Sequence, residues 1–281
     1  MNIVGVDIGG TKMYLCILVD GEYIEHTVPT GKACTPDYLR EEIRKFLSRL
    51  PVKADAMGIG ISGMVSSDQY VVHSVTLPNL NGITAYYFSD GMDVRLLNDL
   101  RCATYAEVAN YPNDEVLAVV LVGSGTAAGI AINGTVLGGS TGFAGEVGYF
   151  PVMTEKGIQY EDDMSGGNAL LRKTGLTPQE LLEKIQRREL EALQLIETAG
   201  TYFGMAMAGL INMLNPSKLI VGGRTITYPG YLDQAMKVCD QYTLAPAREA
   251  CSILPPSDAV RAVALGAIEY VKRKYSNRQG R

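Results

Sequence analysis

The sequence predicts an α/β protein of two similar domains with a cleft between them. One observation is the opening, residues 3–28, which read strand, "DIGGTK", strand, "DG", strand. The second is the return of that pattern at residues 116–138, "VLAVVLVGSGTAAGIAINGTVLG". There a buried strand again meets a glycine-rich turn ending in Gly-Thr, and an Asn-Gly hairpin joins the next two strands. The third is the interleaving of apolar strands with helical periodicity. The repeat period is too long for a solenoid, so a duplicated domain core is expected. The expected boundaries are a smaller first domain over 1–112, with a closing helix over 263–281 packing back on it, and a larger second domain over 113–262.

The elements follow from local signals. "NIVGV" and "MYLCILV" are short apolar runs, and Asp20-Gly21 is a strong hairpin signal. Over 35–50 the pattern is helical: Thr35 suits the N-cap, Pro36 the first turn, and Leu39, Ile43, Phe46, Leu47 and Leu50 share a face. "DAMGIGIS" (55–62) and "DVRLLN" (93–98) read as strands, and "DLRCATYAEVAN" (99–110) as a helix with Asp99 at its start. The second half turns helical. Thr177-Pro178-Gln179-Glu180 is a capping box. A long helix of about 190–213 carries Gly200, Gly204 and Gly209, each costing about 1 kcal/mol against alanine and tolerable where the helix packs closely on another backbone. Asn215-Pro216 ends it, "KLIVGG" (218–223) is a strand running into a glycine pair, and "VRAVALGAIEYVKRKY" (260–275) is a closing helix.

Composition bounds the function. With 281 residues, 47% hydrophobic and 20% charged, the chain can bury a sizeable core. No apolar run is long enough to span a membrane, and "MNIVGVDIGG" has no basic n-region or cleavage site, so no membrane partner or signal peptide is expected. The formal net charge is −5, with acids and bases interspersed. The basic stretches "KIQRRE" and "VKRKYSNRQGR" read as solvated helix faces and a frayed end, so no nucleic-acid partner is expected. Five scattered cysteines without a C-x-x-C point to a reduced, cytoplasmic protein. His26 and His73 both sit in strand-like runs, which leaves little room for triad or two-histidine metal chemistry.

The motifs narrow this further. In "DIGGTK", Gly9 and Gly10 let backbone approach a ligand, Thr11 adds a hydroxyl and Lys12 a positive charge. Asp7 would repel a bare phosphate, but suits a Mg²⁺ ion held through water. The turn then grips a Mg²⁺-nucleotide; the plain alternative is a tight hairpin with an acid supplying turn hydrogen bonds. "VGSGT" is a second such turn, and two at matching places imply one ligand held from both sides. "IVGG" ends in Gly222 and Gly223, where an adenine or ribose could lie. "LLND" sets Asn98 and Asp99 at a strand's C-terminal end. Asp99 reads either as a cap of the next helix or as a general base. The spacing does not decide, and the glycine turns favour the base. Glu146 in "GFAGEVGY", flanked by small residues, reads as an acceptor for a polyol. The "EDD" run at 161–163, taken alone, reads as a solvated loop.

In their order, these segments resemble the ROK family of sugar kinases and repressors, within the hexokinase–actin–Hsp70 class of ribonuclease H-like, actin-like ATPase folds. The resemblance covers nearly the whole chain and rests on "DIGGTK", "PNL" (78–80), "ND" (98–99), "GSGTAAG" (123–129), "AGEVG" (144–148) and "NPSKLIVGG" (215–223). It implies an ATP-dependent sugar kinase using Mg²⁺, in which Asp99 is the base. Asn79, Asn98, Glu146 and Glu161 contact the sugar, with Gly63 and Tyr149 beside it. Gly9, Gly10, Thr11 and Lys12 hold phosphates from one side, and Gly123, Ser124, Gly125 and Thr126 from the other. Gly222 and Gly223 lie on the nucleoside side, and a homodimer is expected.

Three departures from the family pattern matter. Tyr149 stands where the family usually has histidine. The segment "FPVMTEKGIQYE" is short and free of cysteine where the family usually carries a zinc loop, so zinc is expected to be absent. Ser62-Gly63 stands where Pro-Gly is common. The repressors' N-terminal DNA-binding domain is not expected, because the sequence opens on the kinase core. N-acetylmannosamine or mannose is expected over glucose, if Tyr149 faces the sugar rather than packing on Phe150. Alternatives are a glucokinase or fructokinase activity, a sugar-binding regulator with weak or no kinase activity, and an ATPase that moves partners.

Overall fold

Strands β1 (Ile3–Ile8), β2 (Lys12–Val19), β3 (Glu22–Pro29), β4 (Ala56–Ile61) and β7 (Asp93–Asn98) form a five-stranded sheet in the order β3-β2-β1-β4-β7. β1, β4 and β7 run parallel, and β2 and β3 fold back antiparallel. The computed structural model describes residues 1–279. It divides them into two compact units. Unit 1 holds this sheet, with Met1–Pro112, Gly138–Gly142 and the chain from Ser257 on; unit 2 holds Asn113–Leu137 and Phe143–Pro256.

Local chemistry explains unit 1. Asp20 and Gly21 both take positive φ, 51° and 87°, as a tight turn between β2 and β3 requires. Helix α1 (Pro36–Ser48) is capped by Thr35, whose hydroxyl accepts the Tyr38 N–H at 3.2 Å, and buries Leu39, Ile43 and Phe46. A small hairpin of β5 (Met64–Ser66) and β6 (Tyr70–His73) precedes β7 and α2 (Asp99–Asn110). His26 stacks on Phe46 within β3's neighbourhood, and His73 ends β6. Helix α9 (Ala262–Gln279) packs onto β1, β4 and α2 at backbone contact. A Cβ on Gly5 would sit 2.2 Å from the Ala264 carbonyl oxygen, one on Gly58 2.4 Å from that of Ala267.

Unit 2 repeats the plan. Its sheet runs β10-β9-β8-β13-β14, with β8 (Val116–Val122), β9 (Thr126–Ile132), β10 (Thr135–Val136), β13 (Lys218–Gly222) and β14 (Ser252–Leu254). Again the first three strands are antiparallel and the last two add in parallel. Asn133 and Gly134 make the matching turn, at φ 49° and 72°. The same order in both sheets gives the duplicated α/β core that the repeat predicts, as the actin-like, ribonuclease H-like class implied by the family resemblance requires.

Between β10 and β13 lie a hairpin of β11 (Pro151–Thr154) and β12 (Gly157–Tyr160), then α3 (Asp162–Ser165), α4 (Gly167–Thr174), α5 (Pro178–Gln186) and α6 (Leu190–Leu214). The capping box of α5 is present in full, with Thr177 and Glu180 bonding each other's backbone N–H. α6 ends at Asn215 in the left-handed region. Gly200 and Gly204 are needed where α6 meets α7 (Tyr231–Tyr242): a Cβ on either would lie 2.5 Å from a carbonyl of that helix. Gly209 faces open space, so close packing explains two of the three glycines. A short α8 (Ala245–Ala250) leads into β14. Among the described residues, no helix is long and apolar enough to cross a membrane.

Candidate active site

In unit 1 the functional side chains gather where three parallel strands end, the place where open α/β sheets bind ligands. Asp7 is the penultimate residue of β1, Ser62 and Gly63 follow β4, and Asn98 ends β7. In the register Asp7 pairs Gly60 and Ile61 pairs Asn98, so adjacent strands bring these residues level. Asn98, not Asp99, is the N-cap of α2: its side-chain oxygen accepts the Arg101 N–H at 3.1 Å. The Asn98 amide donates to the Gly63 carbonyl at 3.1 Å and to the Asp99 carboxylate at 2.9 Å. Asp99 Oδ1 also accepts the Leu100 N–H at 2.8 Å. Asp99 is thus the first residue of the helix, held from two sides, and burial raises its carboxyl above the usual range despite these bonds.

Asp7 accepts no side-chain hydrogen bond among the described residues. Burial first, then the charge of Asp99, pushes it up to about 7, with Lys12 pulling the other way. The turn between β1 and β2 is closed by the Gly9 N–H on the Lys12 carbonyl at 3.0 Å and braced by Thr30, whose N–H donates to Thr11 and whose hydroxyl donates to Gly9. Neither Gly9 nor Gly10 has positive φ. What the turn gains from them is bare backbone: a Cβ on Gly10 would meet only Thr76, at 3.2 Å. Asn79 lies apart from this group in its bonding, since its amide donates to the Cys34 carbonyl at 3.1 Å.

In unit 2 the second glycine turn joins β8 to β9 and lies on the start of α4. The Gly123 carbonyl accepts from the Gly167 N–H (3.0 Å) and the Thr225 hydroxyl (2.7 Å), and the Ser124 carbonyl from the Asn168 N–H (2.8 Å). The Thr126 hydroxyl is buried and 2.9 Å from that of Ser165. Gly223 has φ +106°, and a Cβ there would lie 2.2 Å from the Val122 carbonyl oxygen; one on Gly222 would strike Pro256 at 2.6 Å. This glycine pair is therefore demanded by packing inside unit 2.

The run at 161–163 is not a solvated loop, which corrects that reading. Glu161 is 1% exposed. Neither of its carboxylate oxygens has a hydrogen-bond partner of good geometry. Burial pushes it up to about 7, with the nearby Ser165 and Thr126 hydroxyls offsetting part of the effect. Asp162 turns into the glycine turn, and Asp163 pairs with Arg172 at the surface. The Glu146 carboxyl is raised by partial burial and by Asp162. Tyr149 is 66% exposed and stands edge-on to Tyr160 of β12, ring centroids 5.4 Å apart, rather than against Phe150. Where the family usually has a zinc loop, the chain makes the β11–β12 hairpin. Among the described residues no group of three or more His, Cys, Asp or Glu side chains is placed to hold a metal ion directly.

The structure thus joins Asp7, Gly63, Asn98 and Asp99 in unit 1, and the Gly123–Thr126 turn, Glu161 and Glu146 in unit 2. Sequence reasoning missed Asp162, Ser165 and Thr225. The available signal was the acid directly after Glu161 and the Ser-Gly-Gly that follows.

A sequence model of the ROK family matches residues 3–274. A relative named glucokinase, from Halalkalibacterium halodurans, is 27% identical over 265 residues, covering 78% of this chain and 79% of its own. N-acetylmannosamine kinase of Haemophilus influenzae is 23% identical over 292 residues, covering 97% of this chain and 96% of its own. Among solved structures, a ROK family glucokinase from Streptomyces griseus, in complex with glucose and AMPPNP, has a TM-score of 0.76 at 20% identity, with 97% of this chain and 100% of that one covered. The family match runs from the first strand into the closing helix, and the chain belongs to the ROK family.

Proposed function

We propose that this chain, a sugar kinase of the ROK family, transfers the γ-phosphate of ATP to the primary hydroxyl of a hexose or N-acylhexosamine, with N-acetylmannosamine or mannose favoured over glucose. The observation that carries the reading is the convergence of Asp7, Gly63, Asn98 and Asp99 at the ends of three parallel strands. Asp99 takes the proton from the sugar hydroxyl as it attacks. Its raised carboxyl makes it a better base than a surface aspartate, and the bonds from Asn98 and Leu100 fix its orientation.

Asp7 fits a hard cation reached through water: its residue is half-buried, its carboxylate has no side-chain donor, and it is crowded by a second acid. Mg²⁺ there would supply charge neutralisation on the phosphates. Glu161 offers two unpartnered acceptor oxygens, and Glu146 a second acid, for the hydroxyls or amide of a sugar. Within each unit, the glycine turn offers bare backbone that suits phosphate oxygens.

The sugar preference rests on Tyr149 and on the hairpin that replaces the family's zinc loop. A relative named N-acetylmannosamine kinase that spans 97% of the chain is in keeping with it. Glucose is the second reading, favoured by the relative named glucokinase. The test is coupled ADP release across hexoses and N-acylhexosamines, with a no-sugar control. ADP release without sugar would point to an ATPase, and sugar binding without ADP release to a regulator.

A further inference from the structure

An acid inside a glycine turn that is meant to hold phosphate calls for a physical account. Asp162 is the first residue of α3 and lies 36 residues from the turn it enters. Its Oδ1 accepts the Thr126 N–H at 2.5 Å. The carboxylate is seated among glycines of three separate segments. Added Cβ atoms would lie 2.7 Å from it at Gly125, 3.1 Å at Gly148 and 2.9 Å at Gly166. Any side chain at those places would expel it.

The other backbone groups of the turn are accounted for. The Gly123 N–H closes on Gly125 at 2.8 Å, and the Gly123 and Ser124 carbonyls are taken by the start of α4. Among the described residues, the N–H groups of Ser124 and Gly125 have no partner, so these are the donors left for an anion. The carboxylate beside Gly125 carries the same sign as that anion. Its other charged neighbours are three acids, Glu146, Glu161 and Asp163, against one base, Arg172, which offsets part of the charge and leaves the surroundings acidic.

We propose that Asp162 is a positioning residue of the second glycine turn with two opposed effects: its oxygen holds the Thr126 N–H and so the shape of the turn, while its charge weakens the turn's grip on phosphate. The inference rests on the nucleotide-kinase reading. A turn that binds phosphate through backbone alone would hold the product ADP tightly. A fixed like charge a few ångströms away lowers that affinity without changing the turn.

The test is binding of ADP without Mg²⁺, by calorimetry, to wild type, Asp162→Asn and Asp162→Ser, with thermal unfolding to confirm folded protein. Asparagine is isosteric and keeps an acceptor for Thr126; serine is a second, smaller neutral replacement. The expected result is ADP binding about 3- to 10-fold tighter in Asp162→Asn. Asp162→Ser should shift in the same direction, and sugar affinity should stay within about twofold of wild type. A merely structural role would loosen ADP binding along with stability. ADP bound no more tightly by either folded variant overturns this inference alone. A wild type that binds no nucleotide at all overturns the kinase reading with it.

Discussion

Asn98 caps the helix that Asp99 begins, and the Asn98 amide donates to the Asp99 carboxylate at 2.9 Å. The two readings of Asp99, cap or base, are thereby separated. The capping task belongs to its neighbour, and the acid is left with an oriented, half-buried carboxylate.

Asp99→Asn should lower turnover by about 10²- to 10⁴-fold, the usual range for a general base, while sugar affinity stays within several-fold. Steady-state kinetics with the best sugar and direct sugar binding check this. Turnover above about a tenth of wild type would remove Asp99 from the chemistry.

Asn98→Ala should act twice. Loss of the cap is expected to cost about 1 kcal/mol of stability, read in denaturant unfolding. Loss of the bond to Asp99 should lower kcat as well. Asn98→Ser keeps a capping oxygen but cannot reach both Gly63 and Asp99, so it should recover stability more than kcat. Recovery of both together would show that Asn98 matters only as a cap.

Glu161 gives a pH dependence with a definite sign. Its folded carboxyl is raised from 4.5 to about 7 by burial. Between those values the unfolded chain has released the proton and the folded protein keeps it, so stability falls as pH rises through the window. The full difference is about 3 kcal/mol for one buried group. Glu161→Gln should flatten the slope of unfolding free energy between pH 5 and 7.5 by an amount of that order and stabilise the protein at alkaline pH. An unchanged slope would mean that Glu161 is solvated or paired.

The β11–β12 hairpin carries no cysteine or histidine. Purified protein is expected to hold no stoichiometric zinc by elemental analysis, and activity lost to a chelator should return with Mg²⁺ alone. One zinc per chain would overturn this.

Tyr149 packs edge-on to Tyr160 and remains 66% exposed. If its exposed face meets the sugar, the ratio of kcat/KM for N-acetylmannosamine or mannose over glucose should fall in Tyr149→His. A wild type that prefers glucose, with a ratio indifferent to the substitution, would leave Tyr149 as a hairpin contact only.

Much of this molecule was legible because its signals are local. The Asp20-Gly21 and Asn133-Gly134 turns, the Thr35 cap and the Thr177–Glu180 box depend on residues within four positions of each other. Backbone sterics and short hydrogen bonds set them wherever they occur. The duplicated strand–turn–strand pattern was visible for the same reason, and it carries the fold class. The hairpin at 151–160 and helices α3, α4 and α7 were not read. The hairpin has no strong turn pair, and α3 and α4 are too short to show a period.

The sequence by itself determined the two glycine turns, the strand ends that carry Asp7 and Asn98-Asp99, and the repeated strand–turn–strand core; the order of strands in each sheet came from the tertiary structure. Tertiary structure alone decided what the acids after residue 160 do. Glu161, Asp162 and Asp163 are consecutive and chemically alike, yet one is buried without a partner, one enters a turn 36 residues away and one pairs with Arg172 at the surface. It also decided which glycines packing demands, since a Cβ on Gly223 would lie 2.2 Å from the Val122 carbonyl oxygen while one on Gly123 would meet nothing within 4 Å. Burial and long-range approach depend on segments far apart in the chain, and no window of sequence contains both partners.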